Sequence, residues 1–166
     1  CSIGDLLVEH PEVDLIAFTG STGVGLAICE KAARRHPEQK GVKRIICEMG
    51  GKNAVIVDDD ADLDETIPQL LQSAFGFQGQ KCSACSRVYV EHNVFDEFVE
   101  ALRARTATIK VGDPTRQEHW MGPVIDAAAI ARYENAAAQV RALGAAGSIL
   151  HGGERLAQGD LAHGHF

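Results

Sequence analysis

The chain has 166 residues, 45% hydrophobic and 23% charged, with 16 Lys and Arg against 23 Asp and Glu and a formal net charge of −7. Its length fits about one domain. The acidic balance argues against a nucleic-acid partner, which needs a basic patch, and no apolar run nears the ~20 residues that span a bilayer.

In chain order, residues 2–9 carry Ile3, Leu6 and Leu7 as a short helical stripe, which "HPEV" interrupts because Pro disfavours helix before it. "VDLIAFTG" (13–20) is a continuous apolar run ending in Gly, predicted as a buried strand. "STGVGLAICEKAARR" (21–35) follows as a helix capped near Ser21. "VKRIICEMGG" (42–51) is predicted as a second buried strand closed by two glycines. Strand, helix, strand in this order predicts a βαβ unit with a parallel sheet, hence an α/β fold.

"KNAVIVD" (52–58) is a third strand, and residues 59–80 a helix whose acidic start suits its dipole. Pro68 falls inside that helix and marks a kink or a later start. "SRVYVEH" (86–92) is a strand, and 93–109 an amphipathic helix with Val94, Phe95, Phe98, Val99 and Leu102 on one face. Residues 110–125 form a loop rich in Gly and Pro, 126–147 an alanine-rich helix stopped by Gly144, and 148–156 a short strand and turn. The start at Cys1 without Met and the stop at "AHGHF" carry the expectation of an internal segment of a longer chain.

The five cysteines are 1, 29, 47, 82 and 85. Their odd number and lack of framework spacing point to a reduced, intracellular setting. Cys82 and Cys85 form a Cys-x-x-Cys pair in "GQKCSACSR". Zinc wants about four ligands, and neither His92 nor His119 stands at ligand spacing. A thioredoxin-like dithiol sits between strand and helix, whereas here a helix precedes and a strand follows. Cys29, Cys47 and Cys85 suit the role of small buried hydrophobes. Cys82 lies among Gly79, Gln80, Lys81 and Ser83, polar or small residues with a cation adjacent, surroundings that favour a thiolate. On spacing alone, nucleophile and buried residue both stand as readings of Cys82.

Two further motifs carry chemistry. "CEMGGKN" puts Glu48 at the end of a strand before two glycines, either as a structural carboxylate or as a base. "FTGSTGVG" puts Gly20 and Ser21 between strand and helix, where backbone N–H groups make an anion site or a helix cap. "DDDADLDE" sets Asp58, Asp60 and Asp62 at alternate positions, but Leu63 and Gln69 stand where a calcium loop needs Gly and Glu. No metal is expected.

Taken in this order, "FTGST.VG", "EMGGKN", "FGFQGQKCSACSR", "VGDP" and "MGPVI" resemble the aldehyde dehydrogenase superfamily over nearly the whole chain. The nearest likeness is to the branch that oxidises glutamate γ-semialdehyde (1-pyrroline-5-carboxylate). The resemblance implies an aldehyde dehydrogenase-like α/β fold, with residues 1–50 ending a Rossmann-type NAD-binding domain and 51–166 beginning the catalytic domain. It makes Cys82 the nucleophile and Glu48 the general base. It places Gly20 and Ser21 near the cofactor pyrophosphate and Gly50 toward the nicotinamide. It gives Ser83 and Lys81 to the substrate carboxylate, a pairing that suits an acidic aldehyde.

The same resemblance implies NAD as cofactor, a small-molecule aldehyde as substrate, a cytoplasmic setting, and a homo-oligomeric parent that some bacterial relatives fuse to proline dehydrogenase. The family's proteins are longer, and their oxyanion hole includes an upstream Asn, whereas Asn53, Asn93 and Asn135 of this chain lie outside that motif. The family's upstream ribose lysine and downstream Glu-x-Phe segment are also outside these residues, so the isolated 166 residues are expected to be inactive and to expose sheet edges. Alternatives are an aldehyde dehydrogenase of another specificity and a non-catalytic module that keeps the fold for dimer contacts; retention of both Cys82 and Glu48 speaks against the module.

Overall fold

The computed structural model describes residues 3–166. Cys1, and Ser2 at the start of the expected first helix, lie outside the described residues. The chain forms two compact units that part between Gly51 and Lys52.

In the first unit, helix α1 (Ile3–Glu9), strand β1 (Leu15–Thr19), helix α2 (Thr22–Ala32) and strand β2 (Arg44–Glu48) follow one another. β1 and β2 pair in parallel, from Leu15 opposite Arg44 to Thr19 opposite Glu48. Parallel strands need a crossover, and α2 supplies it. Ser21 caps α2 by accepting from the Val24 N–H at 3.4 Å. Lys43 is buried, and its ammonium donates to the carbonyls of Val8 (2.7 Å) and His10 (2.5 Å). This places a cation on the carbonyl end of α1, where the helix dipole favours it. Lys31 pairs with Asp5 to tie α2 to α1.

In the second unit, strand β3 (Asn53–Val57) leads into helix α3 (Leu63–Phe75), a 3₁₀ turn at Gly76–Gly79 and strand β4 (Cys85–Val90). Helix α4 (Phe95–Thr106), the loop through residue 125 and helix α5 (Ala127–Ala142) complete it. β3 and β4 pair in parallel. Val57, Ile67, Leu70, Leu71, Cys85 and Phe98 form one buried core, so both strands are clamped by α3 and α4. Asp62 caps α3, its carboxylate accepting from Asp64 N (2.9 Å) and Glu65 N (3.2 Å). The acidic run before α3 therefore serves the helix start.

Several expectations are corrected. β1 and β2 are not buried strands: residues along both alternate between exposed and half-buried. Among the described residues each sheet has two strands, so every strand is an edge, and outward side chains such as Ile46 and Ile56 stay exposed. Pro68 does not delay the helix, because α3 begins at Leu63. The helix expected to reach residue 80 stops at Phe75, and the chain turns left-handed from Phe77. Phe95 leaves the apolar face of α4 for solvent. Of the strand and turn expected over 148–156, the strand does not form, whereas Gly152 and Gly153, at φ +69° and +83°, do turn the backbone. No helix of the described residues is long and apolar enough to cross a membrane.

Two outcomes follow from this packing. Phe98→Ala should cost about 3–5 kcal/mol in denaturant titration, against a small effect for the exposed Phe95→Ala; equal costs would contradict the core described. In the loop after α4, Asp113 accepts from Thr115 N (2.9 Å) and Thr115 Oγ1 (2.8 Å). The Thr115 backbone bond, then its hydroxyl, hold the Asp113 carboxyl below the usual carboxylate range. A depressed folded value means these bonds contribute stability above the unfolded value, about 3.9, and lose it as pH falls through the folded one. The Thr115 amide resonance should therefore titrate with a midpoint below the ordinary Asp value and stop titrating in Asp113→Asn; a midpoint above it would contradict the loop geometry.

Candidate active site

The second unit holds the cysteine pair. α3 ends at Phe75, Gly76 follows at φ −54°, and the three residues after it take positive φ: Phe77 at +56°, Gln78 at +54° and Gly79 at +67°. Left-handed backbone costs a non-glycine residue of order 1–3 kcal/mol, so the turn needs outside support. Gln80 N donates to the Phe77 carbonyl at 3.0 Å. With its amide set so that the oxygen accepts, Gln78 takes the Gly122 N–H at 3.0 Å. Gly122 belongs to "MGPVI", so two separate motifs close on each other here. At Gly79 a side chain is excluded twice, by φ and by the Ala74 carbonyl 2.9 Å from where a Cβ would lie.

The turn then delivers Lys81, Cys82 and Ser83 to the surface, all three exposed. Ala84 N donates to the Lys81 carbonyl at 3.2 Å, which makes Cys82 and Ser83 the central residues of a tight turn. Cys85 opens β4 and is 8% exposed, part of the core. The pair thus divides: Cys85 is a small apolar core residue, and Cys82 meets solvent. The Lys81 ammonium reaches back to the C-terminal turn of α3 and donates to the Gln72 carbonyl at 3.4 Å.

Asn53, at the start of β3, was not among the candidates. Its Nδ2 donates to the Cys82 carbonyl at 2.7 Å and to the Ala84 carbonyl at 3.4 Å. The signal for it was its place as the last residue of "EMGGKN". The left-handed pair Phe77–Gln78 had no signal beyond the neighbouring glycines.

In the first unit, Glu48 ends β2 and is exposed. The strand that ends at Glu48, expected to be buried, instead lies open at its carboxyl end in a sheet of two strands among the described residues. The Glu48 carbonyl accepts from Gly20 N at 3.1 Å, which carries the β1–β2 ladder one step past Thr19. The ring of Phe18 lies 2.5 Å from where a Gly20 Cβ would stand. Gly25 is closed by Met49, whose Sδ lies 2.7 Å from the corresponding point. This contact seats the first turns of α2 against the end of β2. Gly50 has open space around its α-carbon.

The amides of Thr22 and Gly23 stand in the exposed first turn of α2, where a helix leaves N–H groups without intrahelical acceptors. Among the described residues, apart from its chain neighbours and its own helix backbone, no atom lies within 4 Å of a Gly23 Cβ position. An anion such as a dinucleotide pyrophosphate fits that turn chemically.

The other thiols differ from Cys82. Cys29 Sγ and Cys47 Sγ stand 3.9 Å apart and half-buried. Burial, reinforced by the Cys29 thiol, pushes the Cys47 thiol up. Among the described residues Cys82 is the exposed cysteine, and Cys29, Cys47, Cys82 and Cys85 are all free.

The sequence profile of the aldehyde dehydrogenase family matches residues 1–166. The chain is 46% identical over 164 residues to a 1-pyrroline-5-carboxylate dehydrogenase of Bacillus subtilis, covering 99% of this chain and 30% of that protein. It superposes on the solved 1-pyrroline-5-carboxylate dehydrogenase from Thermus with bound NAD at TM-score 0.88, with 38% identity, 99% of this chain and 30% of that one. A betaine aldehyde dehydrogenase from Staphylococcus aureus in complex with NAD⁺ also matches at TM-score 0.88, with 36% identity, 99% of this chain and 31% of that one. The chain therefore spans about 30% of the length of the curated relatives it matches.

The thiol environments set an order of reactivity. Limiting iodoacetamide, followed by peptide mass spectrometry, should label Cys82 first and Cys85 last. Equal labelling of the two would contradict the burial described.

Proposed function

Since the chain belongs to the aldehyde dehydrogenase family, we propose that its residues supply the catalytic centre of an NAD-dependent enzyme that oxidises glutamate γ-semialdehyde to glutamate, in proline catabolism. The observation that carries this is 46% identity across 99% of the chain to a 1-pyrroline-5-carboxylate dehydrogenase. The exposed Cys82 in its supported turn agrees with it. In this proposal residues 1–50 belong to the NAD-binding domain and 51–166 to the catalytic domain of a cytoplasmic, homo-oligomeric protein of the relatives' length.

Cys82 acts as thiolate and attacks the aldehyde carbon, giving a tetrahedral thiohemiacetal. Its own backbone N–H donates to the developing oxyanion. The chemistry that NAD supplies when bound is acceptance of the hydride from that carbon. Cys82 is then left as a thioester. Glu48 takes a proton from the water that attacks this thioester, the acid leaves, and the thiolate returns. Ser83 offers a hydroxyl to the substrate's distal carboxylate. Lys81 adds a cation to the same pocket only by giving up the Gln72 carbonyl it holds here. Gly20, Ser21 and the first turn of α2 hold the pyrophosphate, and Gly50 leaves room for the nicotinamide.

A second reading, an aldehyde dehydrogenase of another specificity, is favoured by the equal fold similarity to betaine aldehyde dehydrogenase. Steady-state assays with NAD, glutamate γ-semialdehyde and betaine aldehyde separate the two. In the full-length polypeptide, the semialdehyde should be preferred, and Cys82→Ser should lower kcat by more than about a thousandfold. Glu48→Gln should keep a first-turnover burst of NADH while slowing later turnovers by about a hundredfold or more, as expected for a lost general base. The 166 residues alone should show no turnover. Preference for betaine aldehyde, or full activity of Cys82→Ser, would overturn the proposal.

A further inference from the structure

We propose that Asn53 is a positioning residue for Cys82, holding the peptide that follows the thiol in one orientation through its side-chain amide. The inference rests on the reading of Cys82 as nucleophile.

Both atoms facing the Asn53 amide group are carbonyl oxygens, of Cys82 at 2.7 Å and of Ala84 at 3.4 Å. Only the NH₂ end can serve two acceptors, so the surroundings fix the amide orientation. The Cys82 bond is at the short end of the usual N–H···O range. A trans peptide is planar. Fixing the Cys82 carbonyl therefore fixes the whole Cys82–Ser83 plane, with the Ser83 N–H directed away from Asn53. One side chain thus sets a rotation beside the Cα that carries the thiol.

The backbone ladder does not do this. Asn53 pairs with Cys85, but Ala54 pairs with Arg87, so Ser86 is an extra residue in β4 and the ladder is irregular at its first step. Residues 82–84 lie before that first pair. Ala84 N bonds to the Lys81 carbonyl within the turn, the Ser86 hydroxyl donates to the Ala84 carbonyl at 3.5 Å from β4, and the Asn53 amide links the turn, Cys82 included, to β3. Remote side chains that hold a nucleophile matter to rate because small misplacements are costly, about a hundredfold for 1 Å.

The test uses Asn53→Ala and the near-isosteric Asn53→Asp, whose carboxylate cannot donate, in the full-length polypeptide. Steady-state kinetics with glutamate γ-semialdehyde should give kcat lower by about ten- to a hundredfold, with KM for aldehyde and NAD unchanged. Hydrogen exchange should show the Ala84 amide losing protection about tenfold, while amides of Val55–Val57 and Val88–Val90 keep theirs. Unchanged kcat with Cys82→Ser inactive would overturn the positioning role and leave the nucleophile reading standing. Loss of protection throughout β3 and β4, or failure of both variants to fold, would make Asn53 merely structural and overturn it too. Full activity of Cys82→Ser would instead remove the nucleophile reading on which the inference rests.

Discussion

The parallel pairing of β3 with β4 is the constraint from which the cysteine turn follows. A parallel pair cannot be joined by a tight hairpin. The chain must leave the far end of β3, cross through α3 and return to the near end before β4 can begin. The burial of Ile67, Leu70 and Leu71 against Val57, Cys85 and Phe98 enforces that route. The turn bearing Cys82 therefore arrives beside Asn53, where β3 starts, and not beside Val57, where it ends.

The same geometry explains why two cysteines three positions apart have different fates. Cys85 is the first paired residue of β4, and its side chain enters the core. Cys82 is in the turn before the strand, where no element of the described residues covers it. Upstream, the left-handed run Phe77–Gly79 breaks α3 and aims the turn, at a backbone cost offset by the Gln80 and Gln78 bonds. Strain held next to a candidate nucleophile accords with how such sites are built.

Much of this was legible in the sequence. The alternation of apolar runs and helical stripes carried the β1–β2 parallel pair and the strands that form β3 and β4, though not the pairing of those two, and the polar surroundings of Cys82 distinguished it from Cys85. Burial was less legible. Apolar composition in "VDLIAFTG" and "VKRIICEMGG" signals a strand with two covered faces, but cover comes from neighbours the run itself does not encode. Glu48 and Ile46 are exposed for that reason. The Asn53 contacts with Cys82 and Ala84 are not legible in either strand alone, because they arise from the irregular first step of the β3–β4 pairing that brings the two together. No strand forms over 148–156, where Gly152 and Gly153 at positive φ turn the chain.

The central claim is that the acyl group passes through the sulfur of Cys82. Acid quench of the full-length Glu48→Gln polypeptide, mixed with NAD and glutamate γ-semialdehyde, traps the thioester before water removes it. Trypsin releases residues 82–87, "CSACSR", with both cysteines of the pair on one peptide. Fragment-ion mass spectrometry should find the glutamyl mass on Cys82 alone. The same mass on Cys85, or an unmodified peptide after NADH has formed, would contradict the account.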